Sequence, residues 1–341
     1  MRIVSGIQPS GKLHLGNYFG AVRQFLQLQD TADEALYFLA DLHALTSTHA
    51  GETLRDNTLA LAIDLFALGI DPERSIVFRQ SDISEIPALA WILGAVTPVA
   101  MLERGHSYKD KVAKGLPVSG GLLTYPVLQT ADIVLYGADA VPVGRDQQQH
   151  LEIARAIVQR FNSTFVPGFD AQDPVGERTG APQVLKPPEP LIQEQTALVP
   201  GLDGQKMSKS YGNTIDLFAP DKTVRKQIMS IKTDSTPVDA PKPRPSTLLT
   251  LIELLCSPEE AREHGSSWDA GGVGYGTYKK RLVERFFELF GDARARRAEL
   301  AADPEHVESR LRAGAEKAAA LARPIWNEVT RVSGVAGSLV S

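Results

Sequence analysis

Residues 2–17 read Arg2-Ile3-Val4-Ser5-Gly6-Ile7-Gln8-Pro9-Ser10-Gly11-Lys12-Leu13-His14-Leu15-Gly16-Asn17. A short β-prone run leads into a stretch, Ser5 to Gly11, with two glycines and a proline. A helical pattern then starts near Asn17, with apolar Phe19, Val22, Phe25 and Leu26 at helix spacing. The stretch spells strand, turn, helix. The alternation recurs downstream. Ala35–Ala40 reads as a buried strand, Thr53–Leu68 as a helix, Ser75–Phe78 as a strand and Pro87–Leu93 as a helix. Val141–Gly144 reads as a strand ending in a turn, and Gln147–Phe161 as an amphipathic helix. Apolar Ala131–Tyr136 fits either element. Such alternation predicts an α/β fold with a parallel sheet.

The composition then changes. Asp173–Gly204 is rich in proline and glycine and reads mostly as loop. From about Pro220 helical patterns dominate: Lys222–Ile231, Ser246–Leu255, Pro258–His264, Tyr278–Phe290 and Pro304–Val332. A length of 341 residues suits about two domains. The expected division is an α/β domain over 1–195, a linker over 196–219 and a mostly α-helical domain over 220–341, whose last helix is free to pack back on the first domain.

Ordinary hydrophobic and charged fractions (43% and 23%) fit a globular chain. A formal charge of −5 excludes a highly basic chromatin-type protein, but not nucleic-acid binding through a local basic patch. The single cysteine, Cys256, excludes a disulfide framework and a Cys-rich zinc site, and fits a reducing compartment. No apolar run approaches membrane-spanning length, and the N-terminus lacks a signal-peptide core. A cytoplasmic protein is expected.

Four stretches carry chemistry. In Pro9–Asn17 a helix start offers unpaired N–H groups to a phosphate, and Gly16 permits close approach of a nucleotide. His14 and Asn17 can donate to phosphate oxygens; an ordinary capped turn is the other reading. The stretch is not a P-loop. Lys206-Met207-Ser208-Lys209-Ser210, between Gly204 and Gly212, can fold its two ammonium groups over a polyphosphate, or be a solvated basic loop. In Gly144-Arg145-Asp146-Gln147, Asp146 can hold ribose hydroxyls or simply cap a helix. In Tyr125–Ile133, Asp132 lies among apolar residues, where a buried carboxylate is costly unless paired. A solvent-facing aspartate at a helix start is the alternative.

Together, His14-Leu15-Gly16-Asn17 after the first strand and Lys206–Ser210 resemble the paired signature of class I aminoacyl-tRNA synthetases. Ser5–Gly11, Leu122–Pro126, Ala131–Ile133, Val141–Gly144, Asp146-Gln147 and Gly314–Ala318 narrow the resemblance to the bacterial tryptophanyl-tRNA synthetases, in order along nearly the whole chain. Departures occur at His14, where threonine is frequent, and at Val4, Leu42 and Gln129 around the amino-acid pocket.

The resemblance implies a Rossmann-like nucleotide-binding domain, a helical anticodon-binding domain and a homodimer. It implies ATP as substrate, Mg²⁺ carried by ATP without a dedicated protein site, and L-tryptophan and tRNA(Trp) as the other substrates. Lys206, Lys209, His14, Asn17 and Lys111 would serve the phosphates. Gln8, Pro9, Ser10, Gly16, Gly144, Arg145, Asp146, Met207, Ser208 and Ser210 would complete the ATP site. Asp132 would accept the indole N–H, with Tyr125, His43, Gln147, Ile133, Val141 and Val143 around it. A carboxylate nucleophile is already ionised, so no catalytic base is sought. A tyrosine-activating synthetase, a related adenylyl-transferring enzyme and a non-catalytic paralogue remain alternatives.

Two stretches are basic enough to meet tRNA phosphates. Residues 222–249 carry six cations against two acids, and residues 279–298 seven against three. Solvated helix faces would look the same. Trp91, Trp268 and Trp326 are expected in core or interface packing, and Cys256 as a small buried hydrophobe.

Overall fold

A computed structural model of the chain describes residues 1–144, 148–192 and 199–335. Five strands, β1 (Arg2–Ile7), β2 (Glu34–Leu39), β3 (Ile76–Arg79), β4 (Ala140–Val143) and β5 (Glu189–Ile192), form one parallel sheet in the order β3-β2-β1-β4-β5. The helices before the linker are α1 (Leu15–Asn17), α2 (Arg23–Thr31), α3 (Asp41–Ala44), α4 (Gly51–Leu68), α5 (Glu85–Ala95), α6 (Val99–Leu102), α7 (His106–Ala113), α8 (Gly120–Val134) and α9 (Gln148–Phe165). Beyond it run α10 (Asp221–Met229), α11 (Thr247–Leu255), α12 (Pro258–Ala270), α13 (Tyr275–Ala302) and α14 (Pro304–Ser333).

The chain leaves β1 for β2 on one side, and β4 lies on the other. That reversal of strand order opens a crevice at the carboxyl ends of β1 and β4, where ligands bind in folds of this kind. β1 is the central strand, and its Ile3 and Val4 are fully buried. Ile3 belongs to an apolar cluster that runs from α2 and α4 into α10, α11 and α13. Val4 belongs to a second cluster, on the other face of the sheet, that takes in α5, α8, α9 and α14.

Helix α14 returns to the sheet and lies against β3. Gly314 makes this approach possible: a Cβ there would sit 1.9 Å from the Val77 carbonyl oxygen. Arg79 at the end of β3 binds Glu308 of α14 at 2.8 and 3.0 Å.

One detail differs from the sequence reading, and two readings left open there are narrowed. The proline-rich stretch contains a strand, β5; its residues Glu-Pro-Leu-Ile give no alternation, and Pro190 is tolerated because the strand is an edge. Ala131–Val134 resolves as the last turn of α8 rather than a strand. Trp91 is 81% exposed and outside the core, unlike Trp268 and Trp326.

Candidate active site

Two backbone segments form the jaws of the crevice. The first follows β1. Gly11, at φ +94°, turns the chain, and the Asn17 side chain accepts the His14 backbone N–H at 3.1 Å to cap the start of α1. A π-type turn, Tyr18–Val22, then leads into α2. The second jaw is the lysine loop. Asn213 holds its shape, accepting the Ser208 N–H at 2.8 Å and donating to Asp203 at 2.7 Å and to the Lys206 carbonyl at 3.2 Å.

The jaws are joined directly. Leu15 N–H donates to the Ile215 carbonyl and Leu217 N–H to the Leu13 carbonyl, each at 3.0 Å. Lys209 Nζ reaches back to the Ser10 carbonyl at 2.9 Å and to Ser10 Oγ at 3.3 Å. Gly16 sits at the seam, where a Cβ would fall 2.9 Å from the His14 ring and 3.4 Å from Met207 Cβ.

Electrostatics follow from this burial. His14 is held down to about 4, chiefly because burial penalises the imidazolium, with the Lys209 ammonium adding repulsion. It is therefore neutral at pH 7. Burial also lowers Lys209, against the pull of Asp216 and Asp64.

The far end of the crevice holds a buried polar network. Asp132 is completely inaccessible. Its Oδ2 lies 2.8 Å from His43 Nε2, and Gln80 Nε2 donates to both its oxygens at 2.7 and 2.9 Å. Gln80 Oε1 accepts the backbone N–H groups of Leu42 and His43, which fixes the first turn of α3. Burial pushes the Asp132 carboxyl upward, opposed by His43 and Gln80. Tyr125 of α8 is bonded to His150 of α9 at 2.6 Å.

The crevice measures about 1260 Å³, more than a single drug-sized ligand needs. Most expected residues line it. Gln8, Ser10, His14, Gly16 and Asn17 come from the first jaw, and Lys206, Met207, Ser208 and Lys209 from the second. His43, Tyr125, Ile133, Val141, Val143 and Gly144 form the remaining wall. Pro9, Ser210 and Lys111 are not on the lining; Lys111 stands on α7. Asp132 is not on it either. Gln80 and His43 take up its oxygens, so His43 presents the network to the crevice. Arg145, Asp146 and Gln147 lie outside the described residues.

Sequence reasoning missed Gln80, Asn213, Gly20 and Gln24. Gly20 and Gln24 follow Gly16 at intervals of four and line the crevice, a helical spacing that could have marked them. Gln80 and Asn213 act only through other residues, and no local pattern marks that. Among the described residues, no group of three or more His, Cys, Asp or Glu side chains is placed to hold a metal ion.

The basic stretches are also less free than their composition suggests. Lys279 is tied to the Met229 and Ile231 carbonyls, Arg281 and Arg285 to Glu260 and Glu288, and Arg244 to Asp269. Lys242 is buried against the Val238 and Ala240 carbonyls. Exposed cations remain at Lys222, Arg225, Lys226 and Lys232. Cys256 is half-buried rather than a core residue.

A parallel sheet whose switch point is closed by a glycine-bearing turn and a lysine loop is the architecture of the class I synthetases. The family model described as tRNA synthetases class I (W and Y) matches residues 1–290, and the chain belongs to that family. It is an aminoacyl-tRNA ligase. The tryptophan–tRNA ligase of Fusobacterium nucleatum is 46% identical over 338 residues, covering 99% of both chains. That of Campylobacter jejuni is 44% identical over 98% of this chain and all of its own. The crystal structure of the Campylobacter jejuni tryptophanyl-tRNA synthetase, complexed with ADP and tryptophan, superposes with a TM-score of 0.87 at 42% identity, over 98% of this chain and all of that one.

Proposed function

We propose that the chain activates L-tryptophan with ATP and transfers it to tRNA(Trp). The observation that carries this reading is the contact of Lys209 with Ser10, which closes two distant motifs on one crevice. Tryptophan, rather than tyrosine, is favoured by the relatives at 44–46% identity, all tryptophan–tRNA ligases.

The tryptophan carboxylate attacks the α-phosphorus of ATP, the bond to the bridging oxygen breaks, and pyrophosphate leaves with the electron pair. The nucleophile needs no deprotonation. Catalysis therefore rests on alignment and on charge placed where it develops. Lys206 and Lys209 meet the departing pyrophosphate, and His14, Gly16 and Asn17 hold phosphate oxygens. Lys111 on α7 is assigned to the triphosphate. Gln8, Pro9, Ser10, Gly144, Arg145 and Asp146 serve the adenosine, and Met207, Ser208 and Ser210 shape the loop. Mg²⁺ enters as part of the nucleotide substrate. A tRNA terminal ribose hydroxyl then attacks the acyl-adenylate and releases AMP.

The indole N–H is met by the His43–Asp132 pair, which Gln80 holds in place. Phenylalanine has no N–H to offer and makes no such bond to the pair. Tyr125, Gln147, Ile133, Val141 and Val143 complete the pocket.

The enzyme acts in the cytoplasm as a homodimer. Trp91 on α5, Val99 on α6, Val112 on α7 and Leu116 just beyond α7, each at least 50% exposed, supply an apolar face for a second copy. No helix among the described residues is long and apolar enough to cross a membrane. The catalytic unit is 1–195, the lysine-loop linker 196–219 and the anticodon-binding unit 220–341. Pyrophosphate exchange with each amino acid in turn tests the assignment: a signal with tyrosine and none with tryptophan would overturn it.

A further inference from the structure

Asp64 lies within the apolar run Leu61–Leu68 of α4 and is 3% exposed, where a carboxylate is costly unless paired. Its partner is Arg297 of α13, which donates from Nε at 2.5 Å. The Leu13 backbone N–H, just ahead of His14, also favours the Asp64 carboxylate. The Leu13 carbonyl in turn accepts from Leu217 behind the lysine loop. The Arg297 guanidinium also lies 5.1 Å from the centre of the Phe218 ring. One turn earlier, Arg294 donates to the carbonyls of Leu217 and Ala219, the latter at 2.6 Å, and pairs with Asp221 at 2.8 Å. One helix of the tail thus grips both jaws.

We propose that Asp64 and Arg297 are positioning residues for adenylate formation, through which α13 sets the placement of the His14 turn relative to the Lys209 loop. The proposal rests on the phosphate roles given above to His14 and Lys209. Packing alone does not call for this arrangement, because a buried ion pair generally adds little stability over apolar residues of similar size. An ion pair does fix direction, and alignment errors near 1 Å can cost about 10²-fold in rate.

The test uses Asp64→Asn, Arg297→Lys and the double variant Asp64→Leu/Arg297→Leu, in full-length enzyme with active sites counted by burst titration. The expected result is a kcat for pyrophosphate exchange about 10-fold lower per active site and a raised KM for ATP, with KM for tryptophan changed less than about 2-fold. Arg297→Lys, which keeps the charge, recovers part of the loss. The double variant unfolds at a normal temperature yet keeps the kinetic defect. Arg331→Ala breaks an exposed pair with Glu328 and leaves all three parameters unchanged. A lowered melting temperature with unchanged kcat and KM for ATP would overturn the proposal and leave the pair purely structural. Lys209→Ala run alongside separates the two readings. If it also leaves exchange intact, the phosphate assignment fails; if it alone is impaired, only the positioning role fails.

Discussion

Lys209 Nζ lies 2.9 Å from the carbonyl oxygen of Ser10, a residue 199 positions earlier in the chain. An ammonium held there is set to meet negative charge developing over the start of α1. Lys209→Ala is expected to slow adenylate formation by about 10²–10³-fold, as loss of one placed donor does elsewhere, with little change in tryptophan affinity. Single-turnover kinetics with equilibrium tryptophan binding checks this. Equal loss in both would detach Lys209 from the phosphates.

The His43–Asp132–Gln80 network sets amino-acid preference in this reading. A site built to pair with a substrate N–H can reject an analogue lacking it by about 10⁴–10⁵. Asp132→Ala and Gln80→Leu should both compress that ratio, measured as kcat/KM for tryptophan against phenylalanine, with Asp132→Ala the larger. Unchanged discrimination in both variants removes the network from selection.

His14 titrates near 4 in the folded protein, against about 6.5 for an unperturbed histidine. As pH falls through 6.5 the unfolded chain takes up a proton that the native state refuses. His14 therefore subtracts stability progressively from about pH 6.5 down to about 4, and contributes no loss above that window. Imidazole NMR should show one resonance unprotonated at pH 5.5 that is missing in His14→Asn. A His14 midpoint near 6.5 would contradict the burial described for the jaw.

Gly314→Ala inserts a methyl into a space closed by the Val77 carbonyl. Lifting α14 from β3 should cost about 3 kcal/mol, at the upper end for overpacking. Urea unfolding measures it as a lowered midpoint at constant slope. An unshifted midpoint would show that α14 yields freely.

Trp91→Glu should convert a dimer to a monomer without lowering the melting temperature of the subunit, because its side chain is mostly in water within one copy. Sedimentation velocity reads the outcome. A persistent dimer places the interface elsewhere.

The sheet and its switch point were legible because buried parallel strands leave compact apolar runs between turn residues, as at Ala35–Ala40 and Val141–Gly144. The jaws were legible because glycine, histidine and lysine must occupy fixed places there. Strand β5 was not, since pairing with β4, rather than its own residues, makes it a strand. Charge counts misread the tail. Arg281, Arg285, Arg294 and Lys279 are cations in composition but pins in the fold, bound to carboxylates and carbonyls of neighbouring elements. The pairing of Asp64 with Arg297 was equally hidden, because its partners lie 233 positions apart.

The Arg79–Glu308 pair joins residues 229 positions apart. At ordinary ribosomal speeds of about 5–20 residues per second, β3 emerges about 10–50 s before the segment that covers it. Throughout that interval Phe78 waits without Ala318, Ala322 and Trp326 beside it. The catalytic half of the nascent chain is thus a candidate client for chaperones until α14 has left the exit tunnel.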